Sequence, residues 1–161
     1  MDKKVATLLN DQIQKEFVSA YLYLDMANYY GEQGLDGFAH WFEQQAEEEM
    51  EHGMKIYHYM HDSGVKVTLK EIGASSKKYK NNTEPLAAAL KHEQFVTNSI
   101  YAIVAAATRV NDYRTMQFLD WFVEEQGEEE KNAQELVEKM SRFGKTPEGL
   151  YLLNKELASR E

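Results

Sequence analysis

Glu49 and His52 stand in the stretch Ala46-Glu47-Glu48-Glu49-Met50-Glu51-His52, which packs four carboxylates and one imidazole into seven residues. Residues three apart share a helix face. Glu49 falls where a helix through this stretch should be apolar. A Glu-x-x-His pair on a buried helical face is a metal-ligand arrangement, offering a hard anionic oxygen and a neutral ring nitrogen. It becomes a metal centre only if other elements bring matching ligands to the same level.

Four long helices are positioned to do so. From about Val5 to Tyr30, Leu9, Ile13, Glu16, Ala20, Tyr23, Ala27 and Tyr30 recur at steps of three and four, the seam of a bundled helix with Glu16 as intruder. Gly31 and Gly34 close that segment. A second helix, Leu35 to about His61, has the seam Phe42, Ala46, Glu49, Gly53, Ile56 and Met60, with Glu49 intruding. A third, starting at Thr83-Glu84-Pro85 with Thr83 as cap, has Leu86, Leu90, Glu93, Thr97, Ile100, Val104 and Ala107, with Glu93 intruding. A fourth, from after Asp112 to near Gly144, has Leu119, Phe122, Gln126, Glu129, Ala133, Leu136, Met140 and Phe143, with Gln126 and Glu129 intruding. A short fifth, Leu150 to about Ser159, carries Leu150, Leu153 and Leu157 on one face, for packing on the bundle or on a neighbouring subunit.

Residues 65 to about 83, including Gly73, Ser75, Ser76, Asn81, Asn82 and five lysines, form a crossover with a short extended piece at Val65 to Leu69. About 20 extended residues reach roughly 65 Å and a helix of about 27 residues is roughly 40 Å long. The crossover can therefore run the length of the bundle and make the second and third helices parallel. The fold class expected is all-α: a four-helix bundle with a long crossover and a short C-terminal helix, as one domain over 1–161.

An internal echo relates the intruders. Glu49 follows Glu16 by 33 residues and Gln126 follows Glu93 by 33, each second member opening a polar i, i+3 pair. Two pseudo-symmetric halves bring all six groups to one level. Carboxylates there suffer desolvation and mutual repulsion, which two divalent cations relieve better than protons. The inferred ligands are Glu16, Glu49, His52, Glu93 and Glu129, with Gln126 near the second ion. Oxygen-rich donors with one imidazole suit iron or manganese. The competing interpretation is a purely structural polar network.

Composition limits the partners. The chain has no cysteine and a net charge of -9. Thiolate chemistry is excluded, a nucleic-acid coat is disfavoured and cations are attracted. No apolar run approaches a membrane span and the start does not resemble a signal peptide, so a cytoplasmic protein without membrane partners is expected.

Taken together, Glu16 with Tyr23, the Glu48 to His52 motif, His92-Glu93-Gln94, the run Trp121 to Lys131 and Gly149-Leu150-Tyr151 resemble the non-haem ferritins of bacteria across the chain. Ferritin-like di-iron proteins are the standard example of this bundle arrangement. The resemblance implies one iron site at Glu16, Glu49 and His52, and a second at Glu49, Glu93 and Glu129 with Gln126 close by. Glu49 would bridge the two. Glu48, Glu125, Glu128 and Glu129 correspond to a third iron site on the cavity side in some relatives. The family implies a homo-oligomeric shell of 24 subunits that oxidises Fe(II) with O2 or H2O2, stores ferric mineral and needs an external reductant for iron release.

The chain departs from the symmetric di-iron pattern of bacterioferritins, which would place a histidine at Glu129 and a glutamate at Gln126. Met50 stands where a haem ligand would, but non-haem ferritins can carry it too, and no haem is expected. Tyr23, two turns after Glu16, is placed to hydrogen-bond a ligand or supply an electron, and equally to pack as core. Trp41 and Trp121 read as packing. Glu47, Glu51, Glu124 and Glu130 read as solvent-facing, and His40, His58, His61 and His92 as surface or interface residues. Animal ferritins line a threefold channel at positions matching Met116 and Leu119; Asp112 and Asp120 lie nearby without defining a pore. A DNA-protecting mini-ferritin fits less well, since the basic terminus is only Lys3 and Lys4. A rubrerythrin-like peroxide reductase would need a cysteine-bound iron module.

Overall fold

A computed structural model describes residues 1–75 and 77–160; Ser76, within the expected crossover, and Glu161 lie outside the described residues. The chain forms α1 (Lys3–Glu32), α2 (Asp36–Asp62), α3 (Glu84–Arg109), α4 (Tyr113–Phe143) and α5 (Pro147–Leu157), with no strand among the described residues. No described helix is long and apolar enough to cross a membrane.

Each helix starts where a side chain can satisfy its free N–H groups. Asp2 accepts from Lys4 and Val5 N–H, Asp112 from Thr115 N–H, and Thr146 from Gly149 N–H. Capped by Thr146, α5 begins at Pro147, three residues ahead of the expected start. The expected cap at Thr83 is not made. Asn81 Oδ1 instead accepts from Thr83 and Glu84 N–H, because an Asn carboxamide reaches the backbone N–H two and three residues on and closes the turn that opens α3. Gly31 does not end α1; the turn comes at Gly34, whose φ of +69° suits a residue without Cβ.

Packing makes two antiparallel hairpins, α1 with α2 and α3 with α4. Thr68 pairs with Asn10 near the start of α1, Lys77 N–H donates to Asp25, and the Tyr30 hydroxyl donates to Asn82 O near its end. The crossover therefore runs the length of α1, and α2 and α3 come out parallel, as its length predicts. Its extended piece forms no strand. Asn10 supplies both a donor and an acceptor to Thr68, at 2.9 and 2.7 Å, taking the place of a partner strand. The five crossover lysines are exposed.

The apolar core is split in two. Tyr23, Met26, Tyr30, Phe38, Phe42 and Leu136 belong to one cluster, with α5 packed on it through Leu153 and Leu157. Leu9, Ile13, Ile56, Ile100, Leu119 and Phe122 belong to the other. Glu16, Glu49, Glu93, Gln126 and Glu129, all buried, form a polar layer between them. Phe143, expected on the α4 seam, is exposed because the chain turns away at Gly144. α5 docks on α2 and α4. Asn154 Oδ1 accepts from Gly37 and Phe38 N–H, capping an α2 N-terminus that lacks a cap of its own.

Candidate metal centre

The layer is built by one or two polar groups per helix. Glu16 from α1 and Glu49 with His52 from α2 can each present one ligand atom with all three atoms within 4.8 Å of one another. A second such triad joins His52 to Glu125 and Glu129 of α4. His52 thus lies between two acidic groups, its Nδ1 3.8 Å from Glu49 Oε2 and its Nε2 4.0 Å from Glu125 Oε1. Glu93 is held differently: one carboxylate oxygen accepts from the Tyr23 hydroxyl and the other from Gln126 Nε2 at 3.1 Å.

Glu16 Oε2 and both carboxylate oxygens of Glu49 are buried without any hydrogen-bond partner. Orphaned anionic oxygens inside a protein are costly and call for a cation or a proton. Burial, foremost, holds the carboxyls of Glu16, Glu49 and Glu93 above the ordinary range and raises Glu129 to about 8. The neighbouring negative charge comes next for three of them, from Glu49 on Glu16 and from Glu93 on both Glu49 and Glu129. These groups therefore share one electrostatic site, as the seam intruders predict. Its unpaired oxygens and imidazole match a hard divalent metal.

The acidic residues toward the surface behave differently from one another. Glu125 is half-buried and raised, chiefly by desolvation, while Glu128 is exposed. Glu48 is ion-paired to Arg160 at 2.6 Å. Met50 is 46% exposed on the outside of α2. Leu119 packs in the core with Met116 against it.

Three polar residues of the site gave no reading from sequence. Gln12 and Gln45 are buried one turn before Glu16 and Glu49. Gln12 donates to Glu16 at 2.8 Å and Gln45 to Glu129 at 2.5 Å. They are themselves 33 residues apart, so the echo that relates the glutamates also marks them. Arg160 gave no signal, being distant in sequence. His92, read as a surface or interface residue, is half-buried: its Nε2 lies 2.7 Å from Ser19 Oγ, and burial lowers its pKa to about 4, keeping it neutral.

Residues 6–143 match the family model described as Ferritin-like domain. The chain belongs to the ferritin family. It is 38% identical over 99% of its length, and 96% of the relative's, to a bacterial non-heme ferritin of Staphylococcus haemolyticus. A Staphylococcus aureus bacterial non-heme ferritin is 36% identical over the same shares. Among solved structures, the open pore ferritin of the hyperthermophilic archaeon Archaeoglobus fulgidus superimposes with a TM-score of 0.98 at 36% identity, covering 100% of this chain and 99% of that one. With such relatives, the polar layer holds the chain's candidate iron ligands.

Proposed function

We propose that the chain is an iron-storage ferritin subunit whose polar layer is a ferroxidase centre. Two Fe(II) ions are the substrate. One is taken by Glu16, Glu49 and His52, the second by Glu49, Glu93 and Glu129 beside Gln126, with Glu49 between them. Each Fe(II) gives up one electron; O2 accepts both with two protons and leaves as H2O2, which can itself oxidise a further pair. Carboxylate-rich coordination favours the ferric product electrostatically, and the single imidazole leaves it weakly retained. Tyr23 fixes Glu93 by its hydroxyl. Glu125, beside His52, and Glu128 lead outward toward the storage cavity, where a third ion binds with Glu48 and Glu129. Twenty-four subunits close the cytoplasmic shell around the ferric mineral, and a separate reductant mobilises it.

The observation that carries this reading is the cluster of buried, cation-deficient carboxylates, with three oxygens lacking any partner. Aerobic Fe(II) oxidation followed by ultraviolet absorbance, with size-exclusion of the product, tests it. A shell-sized particle that oxidises Fe(II) well above buffer and retains iron is expected. A monomer with no oxidation above buffer and no retained iron would overturn it.

A further inference from the structure

The C-terminal tail returns to the bundle at one residue. Arg160 Nη1 donates to Trp41 O at 3.2 Å and to Gln45 Oε1 at 2.7 Å, and Nη2 donates to Glu48 Oε2 at 2.6 Å. Its guanidinium carbon lies 4.6 Å from the centre of the Trp41 ring, and His40 Nε2 donates to Arg160 O at 2.8 Å. Four contacts thus hold the Arg160 side chain, and a fifth holds its backbone carbonyl.

Only one of those acceptors leads inward. Gln45 is 1% exposed, and its amide has two ends in different company. Its carbonyl oxygen faces Arg160, while its Nε2 donates to Glu129 Oε2. Turning the amide over would set its NH2 against a guanidinium and its oxygen against a carboxylate, two repulsive contacts in place of two attractive ones. The cation outside therefore decides which way the glutamine points, and the glutamine decides which Glu129 oxygen is already engaged and which is left for a metal. The same logic recurs across the bundle, where Ser99 donates to the Gln12 carbonyl at 2.6 Å and Gln12 donates to Glu16.

Resting on the metal-centre reading, we infer that Arg160 is a positioning residue that orients Glu129 for the second metal ion through the Gln45 amide. Partners of this kind hold a ligand in its binding geometry, and their loss typically weakens metal affinity 10–100-fold, roughly. The C-terminal tail is then part of the centre, although it contributes no ligand.

Anaerobic titration of the assembled full chain with Co(II), followed by visible absorption, tests this. Co(II) reports ligand geometry as well as occupancy, which a loss of stability alone does not alter. In Arg160→Ala the weaker Co(II) is expected to lose about tenfold in affinity and its absorption bands to shift, with the first Co(II) unchanged. Gln45→Met should do the same, Arg160→Ala added to Gln45→Met should do no more, and Arg160→Lys should recover part of the loss. An unchanged second Co(II) in Arg160→Ala, equal weakening of both ions, or losses that multiply in the double variant would overturn the inference. Should Arg160→Ala fail to fold, an unchanged second Co(II) in Gln45→Met overturns it equally. Wild-type chain that binds no Co(II) would refute the metal-centre reading itself.

Discussion

Replacing Glu129 by glutamine should stabilise the metal-free protein and weaken its metal-bound form. Glu129 is buried and its carboxyl titrates near 8, against 4.5 for the unperturbed group, chiefly through desolvation and then the charge of Glu93. A raised folded pKa means that the group's contribution is fully present below about 4.5 and is lost as pH rises through about 8. Each pH unit in that window costs the fold about 1.4 kcal/mol, because the unfolded carboxyl ionises while the folded one keeps its proton. At pH 7 the cost is about 3 kcal/mol. Glutamine is neutral at every pH, and its carbonyl can still accept from Gln45. Metal-free Glu129→Gln should therefore melt about 6–12 °C above wild type at pH 7, the two converging toward pH 4. Differential scanning calorimetry of chelator-treated protein across pH 4–8 provides the readout. With Co(II) in excess the order should reverse, since only the carboxylate neutralises the ion. Equal midpoints at pH 7, or a gap that stays constant with pH, would refute the argument from desolvation.

Other substitutions probe separate parts of the structure. Glu49→Ala removes the two partnerless oxygens at the centre of the site and should lower the initial Fe(II) oxidation rate at least about a hundredfold, measured by stopped-flow absorbance. A Cβ at Gly53 would lie 2.4 Å from the Phe17 ring, so Gly53→Ala should destabilise by about 1–3 kcal/mol in chemical denaturation. Asn154→Ala removes the acceptor for two α2 N–H groups and should cost about 1 kcal/mol, with hydrogen exchange rising first at Gly37 and Phe38.

The seams made the bundle legible because an apolar stripe at helical spacing has one way to be buried, and the intruding Glu16, Glu49, Glu93, Gln126 and Glu129 could be read against it. The crossover direction followed from length alone. What escaped were groups whose role depends on a neighbour distant in sequence. Arg160 meets Glu48 across 112 residues and His92 meets Ser19 across 73, separations over which local pattern carries no information. Thr83 shows the opposite failure: its residue type suits a cap, but the turn into α3 is held by Asn81, two positions earlier, which accepts from Thr83 and Glu84 N–H. Gln12 and Gln45 were readable in principle, since both repeat the spacing of the glutamates they precede. As polar residues one turn from an anion, they gave no sign of which carboxylate each would reach.

If the polar layer is a ferroxidase centre, the buried carboxylates of all four long helices bind two iron ions together. A crystal of this chain soaked anaerobically with Fe(II), with anomalous scattering recorded at the iron edge, would locate those ions. Two adjacent peaks are expected in the polar layer, one bounded by Glu16, Glu49 and His52 and one by Glu49, Glu93 and Glu129. Peaks confined to surface carboxylates, with the layer empty and its glutamates hydrogen-bonded to one another, would contradict it.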